Sequence, residues 1–345
     1  MSSVALRDEH EYIYAVARIR VLETKLLDRA TLFRMVEAGS AQEAFGVLSD
    51  TEYAPFMQQV EVHDFEKVLS AHLKWVFGQL SKFVPDGFAL DLLGMKMDFH
   101  NLKVLLKSKL FGAPVEPEAL YDWGTLPPEL LRVGLELLST GGDPGEAWPE
   151  SLTKCARGVL GHEGIAGAPQ LVDFIVDRWF YETRLDAARA SRRELLAAWA
   201  QACADVANMK VSIRAAASGV ERKLVSEALV RGGSVEVPRL VWAIGEGLDS
   251  VISLWAKSRY ADAVVALARD RSDKAAFMLE LEKWADNYLL GFIQRARYLT
   301  MGPEPIVAYL SAKEFEVKNL RIILTGKING LPAQVIRERL RDVYA

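Results

Sequence analysis

Asp98-Phe-His-Asn101-Leu102-Lys103-Val104 recurs as Asp205-Val-Ala-Asn208-Met209-Lys210-Val211 and again as Glu316-Val-Lys-Asn319-Leu320-Arg321-Ile322. The shared frame is an acid, two free positions, Asn, Leu or Met, a base, then Val or Ile. The asparagines stand 107 and 111 residues apart. In each copy an aliphatic residue follows at the fifth position (Leu106, Ile213, Leu324) and a glycine at the eleventh (Gly112, Gly219, Gly330). One copy would carry no information; three in register imply one helical unit used three times. Three similar units in a chain suit a scaffold or socket better than a solitary catalytic pocket.

Local breakers bound the signature helices. Pro85-Asp86-Gly87 precedes the first and Gly302-Pro303-Glu304-Pro305 the third, with Pro85 and Pro303 each 16 residues ahead of its Asn. The middle copy has Ser191-Arg-Arg-Glu194 there, which reads as an N-cap with an acid three positions on. The glycine at the eleventh position suits a left-handed C-cap. Each helix is then about 25 residues, or roughly 37 Å, long. Upstream of each lies an amphipathic stretch: Asp64 to Gln79, Leu171 to Arg189 and Phe277 to Leu299. The repeating unit is therefore an antiparallel pair, a preceding helix and a long signature helix.

The correspondence continues past the glycines. Leu120-Tyr-Asp-Trp-Gly124-Thr-Leu126 parallels Leu229-Val-Arg-Gly-Gly233-Ser-Val235, each leading into more helix. The third copy runs through Gly330-Leu331-Pro332 into a helix around Val335 to Leu340 and stops, while Leu32 to Leu48 forms a helix-turn-helix with no signature ahead of it. The expected fold is all-α, with three similar helical-bundle repeats over residues 1–112, 113–219 and 220–345. Segments 1–60 and 331–345 would jointly complete one unit, closing a ring of three.

With 345 residues, half of them hydrophobic, the chain is long enough for a large core or two to three domains. A net charge of -4 argues against nucleic acid as a partner. Cys155 and Cys203 are the only cysteines and have no metal-like spacing, as in a reduced, cytosolic protein. The N-terminus lacks the apolar region of a signal peptide, and no stretch approaches the ~20 uncharged apolar residues of a membrane span.

Candidate chemistry is sparse. An Asn in mid-helix costs helix propensity. Its presence in all three copies reads as a satisfied buried amide, bonded to a neighbouring helix or to the acid one turn earlier; the alternative is a polar ring lining a central cavity. His162-Glu163 begins like a zinc-protease helix, but position 166 is Ala, so the second ligand is missing. The run Gly158 to Gly167 is glycine-rich without a phosphate-loop ending and reads as a flexible loop. No Gly-x-Ser-x-Gly elbow and no adjacent aspartates occur. Lys103, Lys107, Lys109, Arg321 and Lys327 lie toward helix C-termini, where the helix dipole favours them. No catalytic, cofactor-binding or metal residue is assigned; the motif residues Asp98, Asn101, Lys103, Gly112, Asp205, Asn208, Lys210, Gly219, Glu316, Asn319, Arg321 and Gly330 are read as structural.

The third copy in its wider setting, Glu304-Pro305-Ile-Val-Ala-Tyr309 through Glu316, Asn319-Leu320-Arg321 and Gly326-Lys327 to Gly330-Leu331-Pro332, resembles the C-terminal signature of the C subunit of V/A-type ATPases, the prokaryotic relative of the d subunit of the eukaryotic vacuolar enzyme. Asp98 to Lys107 is similar to that family's first repeat, and Tyr14-Ala15, Arg18-Ile-Arg20 and Leu26-Leu27 also fit. The likeness covers essentially the whole chain and is weakest between about 113 and 170. It implies an all-helical funnel of three bundles in pseudo-threefold arrangement, without catalytic residues. It also implies a place on the cytoplasmic face of the membrane, between the central-shaft subunits and the cytoplasmic loops of the membrane rotor ring. A helical-repeat adaptor unrelated to rotary enzymes is the competing reading, and a metabolic enzyme a distant third.

Overall fold

The computed structural model describes residues 8–219, 222–269 and 272–344. Among them the secondary structure is helical, with no strand. The α-helices run α1 (Ile13–Glu23), α2 (Arg29–Glu37), α3 (Ala41–Gly46), α4 (Phe65–Leu80), α5 (Phe88–Phe111), α6 (Pro128–Ser139), α7 (Glu150–Leu160) and α8 (Gln170–Ala190). They continue as α9 (Glu194–Ser218), α10 (Arg222–Ala228), α11 (Val237–Glu246), α12 (Leu248–Trp255), α13 (Ala261–Leu267), α14 (Lys274–Ile293), α15 (Glu304–Ile328) and α16 (Ala333–Arg339). The three signatures fall on α5, α9 and α15, of 24, 25 and 25 residues.

By contact the chain divides into two compact units. One spans Asp91–Leu281; the other combines residues 8–90 with 282–344, so both described ends of the chain belong to it. In the second unit α15 is the central helix. Residues 302–313 are buried without interruption, and α1, α2, α3, α4 and α16 all pack on it. A helix covered on every side has no polar face, which is why this stretch reads as near-continuous apolar sequence, broken by Glu304, Ser311 and Lys313. In the first unit α9 is similarly enclosed, with 202–209 all buried. It packs against α8, where the buried Arg184 guanidinium lies 4.6 Å from the Phe180 ring centre and 4.8 Å from that of Trp199.

Three expectations need correction. Ser191 does not cap α9: it ends α8, donating its hydroxyl to the Ala188 carbonyl, and the N-cap of α9 is Arg193. A turn with Arg192 at φ 57° separates the helices, so the polar side chain serves the helix it follows. The glycine run 158–167 is not one loop. α7 continues through Gly158 to Leu160, and Ile165–Gly167 forms a single 3-10 turn. The stretch read as helix to Leu299 leaves α geometry after Ile293 and tightens to 3-10 over Gln294–Tyr298, where Gln294 and Arg297 bond the carbonyls of the C-terminal residues Val343 and Tyr344.

Candidate functional site

The motif asparagines are buried, with Asn101 and Asn208 at 0% and Asn319 at 1% exposure. Each side-chain amide closes a two-bond ring with one downstream backbone unit. Asn101 donates to the carbonyl of Tyr121 at 2.7 Å and accepts from its N–H at 2.9 Å. Asn208 does the same with Val230 at 2.8 and 2.7 Å, and Asn319 with Arg341 at 3.2 and 2.8 Å. The partner is neither a neighbouring helix nor the acid one turn earlier. It is a stretch of non-helical backbone further along the chain after the glycine, which has no ladder of its own and must be satisfied by side chains.

The acid holds the same segment a few residues on. Asp98 accepts from the N–H of Thr125 at 3.1 Å, its hydroxyl at 2.5 Å, and the N–H of Leu126 at 3.1 Å. Asp205 accepts from the N–H of Ser234 at 2.6 Å, from Arg259 at 2.7 Å and from the Tyr260 hydroxyl at 2.8 Å. The segment passes so close that a Cβ on Gly124 would overlap the Asp98 carboxylate, and one on Gly233 would lie 2.6 Å from Asp205 Oδ1. Burial pushes the Asp98 carboxyl up to about 6, against the pull of its three donors.

The third station takes its donors from a distant part of the sequence. Glu316 takes the N–H of Leu27 at 2.6 Å and the Tyr53 hydroxyl at 2.8 Å, both from the N-terminal region. Leu27 and Tyr53 are 26 residues apart, as are Ser234 and Tyr260. Lys313, fully buried, completes the station at 3.0 Å from Glu316 and 3.7 Å from Glu52. Burial, then the Glu316 charge, holds the Tyr53 hydroxyl well above its ordinary value. His72 lies against Tyr53 with ring centres 4.0 Å apart and the planes tilted by 35°, and burial followed by the Lys313 charge depresses the imidazole to about 3, keeping it neutral. Neither of its ring nitrogens has a hydrogen-bond partner.

The bases and glycines have simpler parts. Lys103 and Lys107 on α5 reach Asp177 and Asp173 on α8 at 2.5 and 2.7 Å, Lys109 reaches Glu136 at 2.6 Å, and Arg321 pairs with Glu66 at 2.8 Å. These are cross-helix pairs, a different use of charge from the helix-dipole placement expected of them. Lys327 does serve a helix end, donating to the Ala38 carbonyl after α2. Gly112, Gly219 and Gly330 have φ of 70°, 66° and 66°. Tyr53, Tyr260, Lys313 and Arg341 escaped sequence reading, although the equal 26-residue spacing was there to be found.

Chemically, the stations hold chain to chain. Every motif acid is engaged by N–H or O–H donors of the chain itself. Among the described residues no three of His, Cys, Asp and Glu are grouped to hold a metal ion, and no helix is long and apolar enough to cross a membrane.

Comparison with known proteins gives a consistent result. The family described as ATP synthase (C/AC39) subunit matches residues 15–339. The C subunit of the A-type ATP synthase of Methanocaldococcus jannaschii is 27% identical, the alignment covering 95% of this chain and 86% of the relative. The C subunit of the V-type sodium ATPase of Enterococcus hirae is 27% identical over 94% of this chain and 97% of its own length. The C subunit of the V-type ATP synthase of Deinococcus radiodurans is 26% identical over 96% and 91%.

Proposed function

The chain belongs to the ATP synthase (C/AC39) subunit family, and from that premise we propose that it is the non-catalytic central-stalk subunit of a rotary A/V-type ATPase. In this reading it receives the tip of the central shaft and seats it on the membrane rotor ring, at the cytoplasmic face of the membrane. Torque then passes through it between ATP chemistry and the movement of protons or sodium ions. The three repeats 1–112, 113–219 and 220–345 form similar bundles in a funnel-like frame, the third completed by the N-terminal region.

The observation that carries the reading is the use of the repeated polar residues. Acid and Asn in each copy fix a segment of backbone to a long helix. A part that transmits torque needs stiff walls and broad contacts, whereas an enzyme would keep some of these groups free for substrate. Removing such a buried bidentate contact costs more than the contact's modest net worth, because the backbone groups left behind stay dry. The frame is therefore held against local yielding.

Deletion of the chain from its host tests the proposal. ATP hydrolysis is expected to become uncoupled from ion pumping, with the soluble ATPase head released from membranes. A deletion strain with an intact, fully coupled complex overturns it.

A further inference from the structure

The α11–α12 helix pair carries an open groove. A cavity of about 530 Å³ lies between Pro238, Trp242 and Leu254, and a second of about 270 Å³ continues it past Val235 toward Arg259. Arg239, Leu254 and Lys257 line both, so the two adjoin. Trp242 stands on its wall 63% exposed, an uncommon place for so large an apolar ring. No carboxylate lines either part among the described residues. Arg259 is already bonded to Asp205, but Arg239 and Lys257 are exposed and without an ion pair among the described residues. The groove is thus cationic on a chain whose net charge is -4.

Threefold repetition does not account for its chemistry. Arg239 and Trp242 follow Ser234 by five and eight residues; at the same distances after Thr125, α6 carries Leu130 and Val133. The scaffold is repeated, while this recognition chemistry belongs to α11 alone of the two.

We infer that the α11–α12 groove binds an acidic, amphipathic protein segment. Its apolar side chain packs on Trp242 and Leu254, and its carboxylates pair with Arg239 and Lys257. Two adjoining cavities and the apolar wall favour a polypeptide over a phospholipid headgroup, whose compact phosphate would leave Trp242, Pro238 and Leu254 uncovered. The indole supplies most of the affinity, as buried aromatic anchors do, and the two rim charges set partner sign and salt dependence. The inference stands on the groove alone and does not depend on the rotary reading.

The test uses the purified full chain and a fluorescein-labelled Leu/Glu amphipathic helical peptide, its Leu/Lys counterpart, and phosphatidylglycerol vesicles. The Leu/Glu peptide is expected to bind saturably by anisotropy, more weakly as salt rises, while the Leu/Lys peptide does not bind. Trp242→Ala should weaken binding about tenfold or more. The double charge reversal Arg239→Glu with Lys257→Glu should abolish it and transfer preference to the Leu/Lys peptide, circular dichroism verifying that both variants stay folded. No binding of the Leu/Glu peptide, binding unchanged in the variants, or groove-dependent binding of the vesicles alone would overturn the inference.

Discussion

A side-chain amide can satisfy both backbone polar groups of one residue, and Asn208 does so for Val230 through two direct bonds. Asn208→Ala leaves a buried N–H and a buried C=O unpaired, and should destabilise the protein by about 2–4 kcal/mol in urea unfolding. Asn208→Asp should be little better, because a carboxylate cannot donate to the Val230 carbonyl. Two other buried groups give opposite responses to acid. Asp98 has its pKa raised to about 6 from an ordinary 3.8, so its contribution to stability is full below about pH 3.8 and lost as pH rises through 6. His72 is depressed to about 3 from 6.5, so its contribution is present above pH 6.5 and lost as pH falls toward 3, by up to about 1.4 kcal/mol per pH unit. Acidification from pH 7 to 4.5 should therefore lower the stability of wild type relative to His72→Phe and raise it relative to Asp98→Asn. Urea midpoints of the three proteins across that range check both signs.

Among the elements, the three signature helices stop the same way, and the reason is conformational rather than a contact. Nothing lies within 4 Å of an added Cβ at Gly112, whose φ is 70°. Gly112→Ala should then cost about 1–2 kcal/mol through left-handed backbone strain alone, and Gly112→Asn, which tolerates that conformation, less than half as much; thermal unfolding of the two variants separates them. The helices themselves were legible in sequence. Their periodicity and breakers placed α4, α8 and the signature helices within a few residues, and the glycines announced where they end. The non-helical segments held to them were less legible. Their partners are recognised through backbone groups, so Tyr121, Val230 and Arg341 share a position and no side-chain chemistry. Repetition could reveal the asparagine that grips, and not the residue it grips. The Ser191 cap was misread because a polar side chain between two helices can serve either, and only the φ of Arg192 decides.

At the scale of the whole molecule, the unit made of 8–90 and 282–344 is closed by the last few residues of the chain. Arg341 supplies the backbone N–H and C=O held by Asn319 and an ion pair to buried Asp286 at 2.7 Å, and Tyr344 reaches Glu23 at 3.0 Å. Removing 341–345 should raise hydrogen exchange throughout 8–90 and 282–340 while leaving 91–281 protected, as mass spectrometry of the truncated chain would show. The same closure has a price in time. Leu27 meets Glu316 across 289 residues of sequence, whereas Asp205 finds Tyr260 within 55. At the usual pace of translation the N-terminal segment waits roughly 15–60 s for its partner to be made. Through that interval Leu32, Met35, Val36 and Phe45, all core residues in the finished fold, have no α15 to cover them. Newborn chains are therefore most vulnerable at the end synthesised first, and substitutions there will register as poor yield before they register as poor activity.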